Sequence, residues 1–299
     1  RGMAMGMAEV VPGVSGGTIA FITGIYERLI KAIKSILSPS IIRSFREGGL
    51  PAFRQEIDGL FLLNLGVGMM LGIGLGVFGV SYLLTNHQEP LWGFFFGLIL
   101  ASVLYVGQQV DQWNVRSFLA LVLGTAIAYG ITILNPFMGS QNLLYIFFGG
   151  VIAISALILP GISGSFILLL MGLYTTVIPA VKAVIKMEDL SQLMIVLVFG
   201  LGCLVGLASF SRVLSWTFSR YRNSTLAILA GFMLGSLNKI WPWRNVLDTR
   251  VNSSGEELPL LEVNVLTNNY EGDAQILLVL VCMVIGFVMV YALDRLGKR

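Results

Sequence analysis

From Gln141 to Val181 the chain runs for 41 residues without one charged side chain. As a single helix that run would rise about 60 Å, twice the hydrocarbon thickness of a bilayer. It must cross twice or fold back. Pro160-Gly161 near its middle supplies the break, because Pro removes an amide donor and Gly lets a bare backbone turn. The remainder of the chain is written in the same solvent: 12% of residues are charged, 56% are hydrophobic and mean hydropathy is +0.84. Apolar segments fall at about 3–26, 60–84, 90–108, 117–134, 141–181, 192–217, 225–240 and 275–293. A backbone exposed to lipid must satisfy its own hydrogen bonds, so the expected fold class is an all-α polytopic membrane protein. A soluble globular domain and a nucleic-acid binder are excluded on the same ground.

The chain also repeats itself. A shift of 148 places Pro12-Gly13-Val14-Ser15-Gly16 on Pro160-Gly161-Ile162-Ser163-Gly164, and Gly24-Ile25-Tyr26 on Gly172-Leu173-Tyr174. A shift of 134 places Gly66, Gly68 and Gly72 on Gly200, Gly202 and Gly206, Ser81 on Ser215, and Gly97 and Ser102 on Gly231 and Ser236. The offset changes because a basic loop lengthens the first half. The expected organisation is therefore a first repeat over 1–134, with a hairpin at 3–26 and helices at 60–84, 90–108 and 117–134. A second repeat covers 141–293, with a hairpin at 141–181 and helices at 192–217, 225–240 and 275–293.

The length of the broken segments predicts how the repeats are related. Met3 to Val11 is a nine-residue arm, about 13 Å of helix or half a bilayer, which suits a re-entrant hairpin better than a crossing. Each half then has an odd number of crossings, and the two structural repeats are inverted. With both termini cytoplasmic, 14 of the 19 Lys and Arg lie inside, while Lys182, Lys186, Lys239, Arg244 and Arg250 lie outside. No stretch has the pattern of a cleavable signal peptide, and the opening at Arg1 fits a chain that lacks a few preceding residues.

After each break a helix restarts, and its first amides lack intrahelical partners at the positive end of the dipole. Such an end attracts anions, phosphate among them. The candidate substrate-binding residues are Ser15, Gly16, Gly17 and Thr18 in the first half and Ser163, Gly164 and Ser165 in the second. Gly-Ser pairs also serve as packing and kink devices, but the same irregular motif at matching points of both halves favours a ligand. Glu9 stands three residues before the first break and aligns with Leu157. It reads as a proton carrier, since an ionised carboxylate is costly at that depth; the other reading is a cap on nearby amides. Arg212, two turns from its helix end, either contacts phosphate or snorkels to the interface. Tyr26, Tyr174 and the Trp241-Pro242-Trp243 stretch read as interfacial anchors, while Asn64, Asn238 and Lys239 are candidates to line a path.

Gly13-Val14-Ser15-Gly16-Gly17 also matches the G-x-S-x-G pattern of a serine nucleophile. A nucleophile needs a base, and the chain has one His, His87, in a short connection at the membrane edge. No catalytic residue is expected, and an intramembrane lipid phosphatase or serine hydrolase is disfavoured. Cys203 and Cys282 lie in apolar runs and read as packing residues, so no metal and no cofactor is expected.

The stretches "MAEVVPGVSGGTIAFITGIYERLI" from Met7 and "LILPGISGSFILLLMGLY" from Leu157 resemble the paired signatures of bacterial polyprenyl-phosphate translocases of the PopT type. The resemblance covers essentially the whole chain. It implies a transporter in the bacterial inner membrane that returns undecaprenyl phosphate, the carrier lipid of peptidoglycan and other envelope glycans, from the outer to the cytoplasmic leaflet. Its partners would be that lipid and the surrounding membrane lipids, with no nucleic acid; the oligomeric state stays open, a homodimer included. Where that family often has Asp before the "VVPG" run, this chain has Glu9. A transporter of a small soluble anion is the alternative. The topology is tested by labelling single cysteines: positions in 34–56 should react from the cytoplasm, and those in 182–190 and 248–272 from outside. Cytoplasmic labelling of 182–190 would overturn the inverted arrangement.

Overall fold

The computed structural model describes residues 1–11, 14–36, 38, 40–137, 139–251 and 257–297. The first half opens with three short helices, α1 (Gly2–Glu9), α2 (Gly16–Ile22) and α3 (Tyr26–Ile36), followed by α4 (Ser40–Glu56). Three long helices come next: α5 (Gly59–Asn86), α6 (Gln88–Gln108) and α7 (Val115–Ile133). The second half repeats the order with α8 (Leu143–Ile158), α9 (Gly164–Leu170), α10 (Tyr174–Ile185), α11 (Leu193–Arg220), α12 (Arg222–Ser236) and α13 (Ile276–Gly297). Between α12 and α13 stands one element absent from the all-helical expectation, an antiparallel pair of strands β1 (Arg244–Val251) and β2 (Glu257–Asn264). Both strands mix polar and apolar residues without strict alternation, and their pairing is irregular around Asp248.

Both apolar segments expected to be broken are interrupted between two short helices. Pro12 and Gly13 lie outside the described residues, but α1 has ended at Glu9 and α2 begins after an extended Ser15. In the second half α8 ends at Ile158, and Gly161 takes φ +85°, a left-handed conformation open to glycine. Gly24 and Gly172, 148 positions apart, both take positive φ at the turn out of the restarted helix. Helix α10 then leaves α9 at 116°. The expected end of the second broken segment at Val181 is extended to Ile185 by α10.

Packing follows the glycines. A Cβ on Gly72 would strike the Met3 carbonyl, and one on Gly206 the Val151 carbonyl; Gly2 meets the Leu65 carbonyl as Gly150 meets that of Phe199. Helix α1 lies on α5 as α8 lies on α11. The other long helices exchange partners between the halves. Helix α7 packs on α12 and α6 on α13, with Gly124 against the Ile228 carbonyl and Gly286 against that of Phe94. Small residues let these backbones approach to contact, the means by which helices associate when lipid removes the hydrophobic drive.

Among the described residues, five helical segments are long and apolar enough to cross a membrane: α5, α6, α7, α11 with the turn before it, and α13 to Leu293; the bent pair α9 and α10 makes a sixth if taken as one span. Helix α12, of 15 residues, runs buried beside α7. Leu63, Met70, Phe78, Leu197, Leu201, Leu277 and Val284 are exposed, whereas Val14, Ile22, Ile146, Leu173, Leu226 and Met233 are wholly buried. Such extended apolar surface on long apolar helices faces lipid. The chain is a multi-pass membrane protein.

Gly97 touches the Met283 carbonyl with no room for a methyl group, whereas Gly74 faces open space. Gly97→Ala should lower unfolding free energy by about 1–3 kcal/mol through forced separation of α6 and α13. Gly74→Ala should stay within about 0.5 kcal/mol of the parent. Equilibrium unfolding in detergent measures both.

Candidate functional site

The two breaks meet in the interior. Ser15 caps α2, its Oγ accepting from the Gly17 amide at 3.1 Å. The same hydroxyl lies within reach of two carbonyls of the second break, Leu159 at 3.2 Å and Leu157 at 3.4 Å. In return the Gly161 amide donates to Thr18 Oγ1 at 3.1 Å. Tyr26, expected at the interface, is instead buried and donates to the Ile158 carbonyl at 3.1 Å. Pro160 forbids a continuous ladder at the second break, and side chains of the first supply what it lacks.

Around the restarted helices the halves differ. The Gly16 amide donates to Glu9 Oε1 at 2.7 Å, so a carboxylate from the protein occupies the start of α2. A Cβ at Gly16 would lie 2.6 Å from that oxygen, so a larger residue there would push the Glu9 carboxylate aside. In the second half Gly164 packs against the Ala153 carbonyl and Leu157 Cβ, with Leu157 standing where Glu9 stands in the first. Ser163, extended at the N-terminus of α9, bonds Ser165 hydroxyl to hydroxyl at 2.9 Å. Ser15, Gly17 and Thr18 thus meet the second break at Leu157, Ile158, Leu159 and Gly161, with Glu9 bonded to Gly16 beside them, and Ser163 follows Gly161 by two residues. Gly164 and Ser165 form the adjoining first turn of α9.

Beside this junction lies a small crevice lined by Gly161, Ile162, Ser163, Phe166, Thr132 and Lys239. It adjoins a larger cavity of about 310 Å³ that shares Thr132, Phe166 and Lys239 and adds Asn238, Arg244, Glu262 and Asn264. The β-hairpin forms one wall. Glu262 on β2 accepts from Lys239 Nζ at 3.1 Å and from Arg244 Nη1 at 2.8 Å, both through Oε2. Arg244 is buried, stacks on the Trp92 ring at 4.4 Å and donates to the Lys239 carbonyl. Burial pulls the pKa of Arg244 down, with Glu262 and Tyr270 opposing. Burial lowers that of Lys239 too, again against Glu262. Tyr270 bonds Glu89 and ties the segment after β2 to the start of α6.

A second cavity, of about 470 Å³, is almost wholly apolar and lies between α1, α5, α6 and α13. Its lining includes Met7, Ile19, Phe94, Phe95, Leu98 and Cys282, with His87 at its rim. His87 sits in the α5–α6 connection, as expected, while the Ser15 hydroxyl is engaged with backbone groups.

Arg212 is exposed on α11, next to buried Ser211, and lines neither the junction crevice nor the cavity under the hairpin. Of the candidate path residues, Asn238 donates to Thr132 Oγ1 at 2.7 Å and receives from Asn264 at 2.8 Å at the cavity wall. Arg244 and Glu262 escaped notice as site residues, since loop charges are ordinarily solvated. Their one signal is position: Arg244 directly follows Trp241-Pro242-Trp243, which places a cation against buried aromatic rings.

Among the described residues no group of three or more His, Cys, Asp or Glu gathers to hold a metal. The fold and the junction define a multi-pass membrane protein with two interlocked broken helices next to a cation-lined cavity. Residues 5–258 match the model of the undecaprenyl phosphate translocase-like family (VCA0040-like), and the chain belongs to that family. It is 46% identical to the polyprenyl-phosphate transporter of Vibrio cholerae over 303 aligned positions, covering 100% of this chain and 96% of the relative. It is 34% identical to the polyprenyl-phosphate transporter of Staphylococcus aureus, covering 81% of this chain and 84% of that one. No solved structure matches the chain.

The Thr18 bond generates a stability prediction. Thr18→Val keeps the shape but strands the buried Gly161 amide, and should cost about 1–3 kcal/mol. Thr23→Val removes only a hydroxyl bonded within its own turn region, to the Ile19 carbonyl, and should cost less. Thermal unfolding of the two variants in one detergent compares them.

Proposed function

We propose that the chain translocates a polyprenyl phosphate, undecaprenyl phosphate in the cell envelope, from the outer to the cytoplasmic leaflet of the bacterial inner membrane. The carrying observation is the bonded meeting of the two breaks through Ser15, Thr18, Leu159 and Gly161, next to a cavity with two cations. A lipid monophosphate needs polar groups for its head along a route through hydrocarbon, while its tail can stay among apolar side chains or lipid. The apolar cavity between α1 and α13 suits the first units of such a tail.

The proposal takes the halves as inverted repeats with re-entrant hairpins and cytoplasmic termini. Contacts at the hairpin exits support this reading. Glu27, just beyond α2, pairs with Arg222 at the start of α12, and Arg28 pairs with Asp58 at the start of α5. Beyond α9, the Phe137 amide donates to the Leu170 carbonyl, and Thr132 near the end of α7 bonds Asn238 beyond the end of α12. The two hairpins therefore leave toward opposite ends of α12. Recycling from the outer leaflet fits a headgroup cavity on the face that carries the hairpin loop.

Glu9 is assigned the proton-coupling role. Its carboxylate holds the Gly16 amide, a position that an incoming phosphate also favours. Charged, it repels the phosphate; protonated, it releases its hold. Ser15, Gly16, Gly17, Thr18, Ser163, Gly164 and Ser165 line the crossing point, and Arg212 is left an affinity role from the surface of α11.

Leaflet exchange of a labelled polyprenyl phosphate in proteoliposomes tests the proposal between about pH 6 and pH 8. Wild-type exchange should quicken toward acid, and Glu9→Gln should bind lipid normally while exchanging at a rate independent of pH. A Glu9→Gln protein with the wild-type rate and pH profile would make Glu9 structural. Absence of exchange by the wild type in any condition would remove the transport reading.

A further inference from the structure

We infer that the cavity beneath the β-hairpin is a phosphomonoester site in which Glu262 holds the place of the substrate's phosphate. The inference rests on the transport reading and names the side chains that receive the headgroup. A single oxygen, Glu262 Oε2, bridges Lys239 and Arg244. Two cations against one carboxylate leave the cluster with surplus positive charge at the wall of a cavity of about 310 Å³. The Arg244 Nε is buried and has no hydrogen-bond partner among the described residues, so the guanidinium has a donor unspent. A dianionic phosphate supplies both the charge and the additional acceptor oxygens that one carboxylate lacks.

Both cations are held in position by contacts that do not involve Glu262. Arg244 stacks on Trp92 and donates to the Lys239 carbonyl, while Lys239 Nζ lies 5.0 Å from the centre of the Phe166 ring. Exchange of Glu262 for phosphate therefore leaves the clamp standing. Glu262 sits on a strand of the two-stranded hairpin, so its carboxylate can leave the two cations by a side-chain rotation that moves no helix. From Lys239 the crevice runs to Ser163 and Gly161 at the junction of the breaks. That crevice has room for about one water, so a headgroup received at the cavity reaches the junction only by parting its walls.

A merely structural ion pair makes the opposite forecast for Glu262→Gln, and binding to the purified full chain in detergent separates the two. The probes are farnesyl phosphate, inorganic phosphate and uncharged farnesol. Glu262→Gln should bind farnesyl phosphate about tenfold more tightly than wild type, the competing charge being gone, and Lys239→Gln and Arg244→Gln about tenfold more weakly. Farnesol should show no such differences. Unchanged or weaker binding by folded Glu262→Gln overturns the inference. Where Glu262→Gln unfolds in plain buffer, added farnesyl phosphate should raise its melting temperature more than that of wild type, and failure to do so overturns the inference equally. Inorganic phosphate binding as tightly as farnesyl phosphate keeps the site but assigns it to a soluble anion. Leaflet exchange that persists in Lys239→Gln and Arg244→Gln with unchanged lipid affinity removes this site while leaving the transport reading intact.

Discussion

A backbone interrupted in a buried apolar interior has no water to fall back on, and the structure depends on how it answers that constraint. Each break exposes amides and carbonyls that an unbroken helix would have paired. Ser15 offers its hydroxyl to Leu159 and Leu157, Gly161 donates to Thr18, and Tyr26 reaches Ile158. The first break completes the second, and a local defect becomes the long-range contact that fixes where α2 and α8 lie. Disturbing either turn therefore disturbs both halves.

The anion-attracting places carry acidic side chains of the protein itself. Glu9 is bound at the start of α2, and Glu262 between Lys239 and Arg244. Buried positive potential without a counter-ion is expensive, so a protein that handles an anionic substrate needs something in the site between turnovers. In the proposed transport cycle the carboxylates of Glu9 and Glu262 would provide that, with an affinity limited by having one charge where a phosphate monoester has up to two. The two centres differ in the element that carries them: Glu9 ends helix α1, whereas Glu262 belongs to strand β2 of the hairpin.

Much of this was legible in the residues. The repeated Pro-Gly-x-Ser-Gly located both breaks, because Pro and Gly act on the backbone directly and need no knowledge of neighbours. The glycine offset of 134 anticipated the matched bounds of α5 and α11, since a contact without room for Cβ can be met by one residue type alone. Tyr26 shows where such reading fails: a tyrosine beyond a short apolar helix looks interfacial until tertiary packing buries it. The β-hairpin was missed because strands of eight residues in a polar stretch carry a weak pattern beside that of long apolar helices. The pairing of Glu262 with Lys239 and Arg244 joins residues separated by a turn and a strand register, neither of which composition records.

The exchange of partners between the halves has a consequence for how such a chain can be made. Helix α7 finds its close neighbour in α12, and α6 finds its own in α13. Glycine faces on either half thus stay bare until the other arrives, so neither half is a self-sufficient folding unit. Synthesis must carry α6 and α7 as unfinished surfaces through the time needed to insert the remainder. An ancestor with a single copy of the repeat could have reached this packing only as a pair of chains, and a gene split between α7 and α8 would still have to supply both products to the same membrane.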